Sequence, residues 1–172
     1  MKNYCHLCGA KYIEGKTQPW ECSGCGNLSY SNSIPCAEIV LFDELGRVLL
    51  ALRGEEPNKG MFDLPGGFIN LDEVVEVGLA REIEEELGLV QGDYTEPAYC
   101  MSWAGDDYKF SKEIAHTLNL VFMAKIINKE KLKAHDDVAE VEFIEIDKLD
   151  SIEFSWAGYP ALIRKAHRQI FF

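Results

Sequence analysis

The sequence predicts an α/β domain preceded by a small module pinned by cysteines. Three observations lead there: two matched CxxCG knuckles near the start, β-prone runs on both sides of one acidic amphipathic stretch, and a net charge of −12 concentrated in that stretch. The 172 residues, 47% of them hydrophobic, suffice for one good core with a small accessory module. The composition is that of a globular chain and not of an acidic disordered one.

The knuckles are Cys5-His6-Leu7-Cys8-Gly9 and Cys22-Ser23-Gly24-Cys25-Gly26. Each spacing lets a tight turn point two thiolates at one ion, and the trailing glycine can take positive φ so that backbone amides face the sulfurs. Four thiolates fill a tetrahedral zinc sphere and leave no position for a substrate. Cys5, Cys8, Cys22 and Cys25 are therefore expected to hold a structural Zn²⁺ that folds a segment too short to bury its own core. His6 is expected at the surface, and Cys36 and Cys100 read as ordinary small apolar residues. The zinc module is assigned to residues 1–34 and the second domain to 35–172, with the polar stretch from Leu28 to Pro35 as the linker.

Within the second domain, Ala37 to Phe42 and Arg47 to Leu52 read as a hairpin around Asp43-Glu44-Leu45-Gly46. Asp63 to Phe68 is a turn or bulged strand. From Leu71 to Leu87 the pattern is helical, with Asp72 as N-cap and Gly88 as the residue that stops it. His116 to Ile127 is a long β-prone run, Val138 to Ile146 alternates as a half-buried strand does, and Gly158 to Ile170 is a closing amphipathic helix.

Charge narrows the function. From Gly67 to Leu89 the chain carries Asp72, Glu73, Glu76, Glu82, Glu84, Glu85 and Glu86 against Arg81 alone, half of the total of −12. Nonspecific binding to a nucleic-acid backbone or an anionic membrane needs clustered positive charge and is disfavoured. No apolar run reaches the roughly 18 residues that span a bilayer. Met1-Lys2-Asn3-Tyr4-Cys5 lacks an apolar signal segment, so a soluble, cytoplasmic protein is expected.

Glu82, Glu85 and Glu86 stand at i, i+3 and i+4, within one turn of helix. At about 100° per residue, Glu86 falls between Val75 and Leu79 in the arc that continues through Ile83 and Leu87, with Glu82 at its margin. Carboxylates on a core-facing stripe need a counter-charge, and by helix spacing Arg81 reaches Glu84 or Glu85 but not all three. A hard divalent ion, Mg²⁺ or Mn²⁺, supplies that charge most simply. Such an ion would also let an acidic pocket accept a diphosphate, with a glutamate taking the proton of the attacking water.

Gly67, five residues, Glu73, seven residues, then Arg81-Glu82-Ile83-Glu84-Glu85-Glu86-Leu87-Gly88-Leu89 resembles a complete Nudix box, G-x5-E-x7-REUxEExGU with U aliphatic. The resemblance implies an α/β/α sandwich around a mixed sheet and hydrolysis of a nucleoside diphosphate linked to another moiety. By position it implies Glu82 and Glu86 as metal ligands, Glu85 as ligand or general base, and the Gly66 carbonyl as a further ligand. Arg81 and Glu73 would orient the glutamates. Asp137 is the best match for an acidic residue added from the loop before a late strand, with Asp136 and Glu140 as neighbours that could serve instead.

A four-cysteine ribbon ahead of a Nudix domain is similar to the arrangement in NADH pyrophosphatases, which implies ADP-ribose or NAD(H) as substrate. The region downstream of the box reads Tyr99-Cys100-Met101-Ser102-Trp103-Ala104-Gly105-Asp106 in place of the signature of those enzymes. Trp103 and Tyr108 are candidate ring-stacking residues and Arg53 a candidate phosphate contact. The rival reading is a noncatalytic nucleotide sensor whose ribbon binds nucleic acid or protein; the intact glutamate set argues for the enzyme. The resemblance admits a homodimer.

Overall fold

The structure, a computed structural model, describes residues 3–15, 18–110 and 113–172, with the backbone alone at 106–110 and 113–114. It divides into two units, Met1–Ser33 and Ile34–Phe172.

In the first unit, strands β1 (Trp20–Glu21) and β2 (Leu28–Ser29) pair antiparallel on either side of the second knuckle. Both knuckles close the same way. Gly9 N–H donates to the Cys5 carbonyl at 2.9 Å and Gly26 N–H to the Cys22 carbonyl at 3.0 Å, with φ of 72° and 71°. Among the described residues of this unit the buried apolar ones are Cys5, Tyr12 and Cys22, with Ala10 and Trp20 against them. So small a core does not hold a fold without a cross-link or a metal. The expected linker is shorter than Leu28 to Pro35: Leu28–Ser29 completes the ribbon hairpin and Ile34–Pro35 already belongs to the next strand.

The second unit is built on β3 (Ile34–Phe42), which is buried from Cys36 onward. That burial is the mark of a central strand covered on both faces. It runs parallel to β8 (Glu113–Lys125), in register from Ile34 opposite Thr117 to Phe42 opposite Lys125. Strands β4 (Val48–Arg53), β5 (Phe62–Asp63), β6 (Gly66–Phe68), β7 (Ala98–Phe110) and β9 (Val138–Ile144) complete a mixed sheet, with the order β5-β4-β3-β8-β7 and with β6 on β3 and β9 on β4.

Alternation along β3 decides which helix covers which face. Ala37, Ile39 and Leu41 pack with Leu79, Ile83 and Leu87 of helix α1 (Val75–Leu87). Val40 and Phe42 pack with Leu162, Ile163 and Ala166 of α2 (Tyr159–Phe171). Glu38 is buried in the same strand. An acid in the middle of a central strand has no packing rationale.

Helix α1 starts four residues later than the periodicity suggests. Asp72 adopts a left-handed φ of 69° and is no cap; Val74 occupies the N-cap without a side-chain hydrogen bond. The turn before it is braced instead by Glu73, whose Oε2 accepts the Asn70 N–H at 2.9 Å. Gly88 ends the helix at φ 67° as expected. Strand β9 stops at Ile144, where the chain turns into a 3₁₀ segment, Ile146–Ser151. Among the described residues no helix is long and apolar enough to cross a membrane.

Candidate functional site

The acidic residues of α1 separate into two environments. On the outer flank, Arg81 is a hub: Nε donates to Glu73 Oε1 at 2.7 Å, and Nη1 donates to Glu82 Oε1 at 2.7 Å and Glu85 Oε2 at 2.8 Å. Nη2 donates to the Phe68 carbonyl at 3.0 Å. Its hydrogen bonds hold the Glu73 carboxyl down at about 2 and raise its own pKa. Helix spacing suggested Glu84 or Glu85 as partners; the guanidinium takes Glu85 and turns across to Glu82 and Glu73 instead.

Arg81 does not reach Glu86. That carboxylate is buried, its Oε2 accepts the Gly66 N–H at 2.8 Å, and burial, with Asp137, Glu82 and Asp63 nearby, pushes its pKa up to about 9. Glu82 is also raised by burial, against the pull of Arg81. Buried carboxylates driven towards the neutral form are groups that a cation would restore.

Two glycines let the strand come this close. At Gly66, φ is 139° and a Cβ would run into the Ala37 carbonyl oxygen. At Gly67 a Cβ would stand 2.7–2.8 Å from the Glu82 carboxyl atoms. The sequence Leu64-Pro65-Gly66-Gly67 thus brings backbone directly against the acidic helix face.

Glu82 and Glu86 line a cavity of about 660 Å³, within the usual range for a ligand site. Glu38, Glu56, Asp63, Asp136 and Asp137 add five acids to its wall, and Arg53 is the one cation among the described lining residues. Arg53 Nη1 is 3.0 Å from Asp63 Oδ2, and its Nε donates to the Pro57 carbonyl at 2.7 Å. The Asp137 carbonyl accepts the Gly54 N–H at 2.7 Å, and burial raises its carboxyl pKa. The loop carrying Asp136 and Asp137 is tied to the end of α1 by Lys133 N–H on the Leu87 carbonyl, 3.0 Å, and His135 N–H on the Glu86 carbonyl, 2.9 Å. Glu85, 48% exposed, lies on the rim side with Arg81 and not in the cavity wall. Glu140 is exposed and also outside the wall.

Trp103 does line the cavity, but it is not an open stacking platform on both faces. It stacks on Trp156 at 3.9 Å with 6° between planes, and its Nε1–H donates to Glu38 Oε2 at 3.2 Å. The side chain of Tyr108 lies outside the described residues. Cys36 reaches the wall, where burial and then Glu38 raise its thiol to about 12, so it is no nucleophile. Glu38, Asp63 and Tyr159 are wall residues with no local signal in the sequence.

In the first unit, one Sγ from each of Cys5, Cys8, Cys22 and Cys25 lies within 4.8 Å of the others. Cys25 N–H and Gly24 N–H point at Cys22 Sγ and, against its burial, lower that thiol to about 6. None of the six cysteines is in a disulfide. The cluster has the donor number and softness of a closed zinc site. His6 is exposed, as expected.

Comparison with known proteins decides the family. The NUDIX domain profile matches residues 33–165, more than half of the chain. The chain belongs to the NUDIX domain family. Among its Nudix relatives is an ADP-ribose pyrophosphatase of Methanocaldococcus jannaschii, 33% identical over 120 residues that cover 66% of this chain and 63% of that protein. Another is the NAD-capped RNA hydrolase NudC of Vibrio cholerae, 33% identical over 88 residues that cover 51% of this chain and 32% of that one. The chain thus spans less than two thirds of the length of either. A MutT protein from Methanosarcina mazei Go1 superposes with a TM-score of 0.65 at 23% identity, over 84% of this chain and all of that one, and shares the Nudix fold.

Proposed function

We propose that this Nudix protein is a metal-dependent pyrophosphatase that hydrolyses the diphosphate of an ADP-containing nucleotide, ADP-ribose or NAD(H). The observation that carries the reading is Glu86, a buried carboxylate with a raised pKa that Arg81 does not reach, in a wall whose described residues include seven acids and one arginine. Such a wall repels a diphosphate unless cations enter with it. The names of the two curated relatives support the ADP-containing class.

Glu82 and Glu86 would hold Mg²⁺ or Mn²⁺, with Asp137 and the Gly66 carbonyl completing the set. When bound, the ion supplies positive charge to the phosphate oxygens and makes water a stronger acid. The remaining work falls to the chain's own groups. Arg81 and Glu73 fix the rotamers of Glu82 and Glu85 through the bonds already present. Glu85, exposed outside the cavity wall and bonded to Arg81, is the candidate general base and would turn from Arg81 to take the proton of the attacking water. Arg53, held by Asp63 and Pro57, is in the wall to meet a phosphate oxygen. Cys5, Cys8, Cys22 and Cys25 would hold Zn²⁺ in a structural role, and cysteines without disulfides suit action in the reducing cytoplasm.

The test is a substrate panel of ADP-ribose, NADH, NAD⁺, diadenosine polyphosphates and nucleoside triphosphates with Mg²⁺ or Mn²⁺. AMP released from ADP-ribose or NAD(H), and loss of turnover with a chelator, is the expected result. Tight binding of these nucleotides without turnover of any would replace the enzyme with the sensor.

A further inference from the structure

The cavity wall also carries polar groups that diphosphate hydrolysis does not use. Glu38, 7% exposed on the central strand, is gripped at both oxygens: Tyr159 Oη donates to Oε1 at 3.2 Å and Trp103 Nε1 to Oε2 at 3.2 Å. Both partners are themselves anchored, Trp103 against Trp156 and Tyr159 at the first residue of α2. Burial first, and then Asp63, pushes the Glu38 pKa up to about 8, so near neutral pH one oxygen carries a proton while the other keeps a lone pair for a donor, and Glu38 is part of the cavity wall. Beside it stands a second polar pair, Asn119 Nδ2 donating to Thr117 Oγ1 at 2.9 Å, both buried and both in the wall.

Gly105 keeps this corner open. A Cβ there would run into Thr117 Oγ1 and stand 3.3 Å from the Trp103 ring and 3.5 Å from Asn119 Nδ2. A buried acid, a buried amide and an indole gathered in one cavity wall cost folding free energy. They repay it when a ligand supplies a flat ring and hydrogen-bond donors.

We propose that Glu38, with Trp103, Thr117 and Asn119, forms a subsite for a heterocyclic ring of the substrate, and that Glu38 is its specificity-determining acceptor for an exocyclic N–H of that ring. The inference rests on the ADP-containing substrate proposed above and names how it is chosen. Two rings of that class carry such a donor, the adenine 6-amine and the nicotinamide carboxamide. A site built around a buried acceptor rejects an analogue lacking the donor, because the acceptor is then left unpaired.

The test compares parent and donor-less ligands on the full chain: ADP-ribose against its purine counterpart without the 6-amine, and NAD⁺ against nicotinic acid adenine dinucleotide. Affinity is read two ways, as KM with Mg²⁺ and as a Kd from tryptophan fluorescence with Ca²⁺ in place of Mg²⁺. The expected result is a preference for the parent of about tenfold or more in one pair, carried by KM and Kd and not by kcat, the responding pair identifying the ring. In Glu38→Gln, which keeps the shape but has one carboxyl oxygen fewer, the preference falls towards unity. Tyr159→Phe, which frees Glu38 at one oxygen, gives an intermediate value, with both variants checked by thermal melting.

Equal affinity within both pairs in the wild-type protein overturns the subsite, as does an undiminished preference in a folded Glu38→Gln. Preference in Kd without turnover of any parent keeps the subsite and overturns the hydrolase reading instead.

Discussion

Glu86 Oε2 accepts a hydrogen bond from the backbone N–H of Gly66 at 2.8 Å, and none of the ion pairs among the described residues includes Glu86. One backbone dipole does not offset the burial of a carboxylate. In Glu86→Gln the buried acid is replaced by a neutral isostere, so the metal-free protein should melt within a few degrees of wild type. Mn²⁺ should raise the melting temperature of wild type and do so markedly less in the variant, since stabilisation by a ligand follows its affinity. Equal Mn²⁺ shifts in the two proteins would remove Glu86 from the metal site.

Gly67 tests whether close approach of strand and helix is needed. Its missing Cβ makes room for the Glu82 carboxyl, which would otherwise lie 2.7–2.8 Å away. Gly67→Ala should fold, because the clash is with the end of a side chain, yet push Glu82 off position. A loss of about 100-fold in kcat/KM is expected, as for a misplacement of about 1 Å at a reacting centre. Near-normal activity in a folded variant would show that Glu82 need not stand where it does.

The ribbon should depend on its ion. With Cys5, Tyr12 and Cys22 as its buried apolar residues, removal of zinc leaves little to hold it. Elemental analysis of purified protein should find about one zinc per chain, the stoichiometry of a closed four-thiolate site. A strong chelator should release amide protons of Asn3–Ser33 to fast exchange and leave Ile34–Phe172 protected. Slow exchange throughout the ribbon after complete zinc removal would contradict the assignment.

Asp93 supplies a pH signature. It is 2% exposed and accepts from Lys131 Nζ at 2.7 Å, Asn128 Nδ2 at 2.7 Å and Val90 N–H at 3.1 Å; Lys131 first and Asn128 next hold its pKa at about 2. A carboxyl depressed in the folded state stabilises above its unfolded pKa, about 3.9, and that contribution is lost as pH falls through the folded value. The melting-temperature gap between wild type and Asp93→Asn should therefore be widest above pH 4 and narrow towards pH 2. A gap independent of pH would mean that Asp93 acts without its charge. The knot anchors the segment leading to Asp136 and Asp137, so the variant should also lose metal affinity.

Much of the fold and site is legible in the sequence because the deciding signals are local. Cysteine pairs three residues apart, glutamates on one helical turn and Gly88 as a helix stop each follow from backbone geometry over a few residues. What escapes is what tertiary contact decides. Glu38 is a single acid inside an apolar run, and only the pairing that brings Trp103 from β7 and Tyr159 from α2 makes it a site. Strand β7 has no clean alternation, because it is a long hairpin arm with register shifts between Tyr99 and Met101 and between Gly105 and Tyr108. Arg81 chooses Glu73 and Glu82 over Glu84 because the turn before α1 folds back beside it, which helix spacing cannot show.

The most direct test of the central claim is the rate of AMP formation from ADP-ribose with Mg²⁺ for wild type, Glu85→Gln and Glu86→Gln, all verified as folded. The account predicts metal-dependent turnover by wild type and losses of about 10²–10⁴-fold in each variant, the range for removing a positioned proton acceptor or its electrostatic support. Wild-type rates in both variants would contradict it.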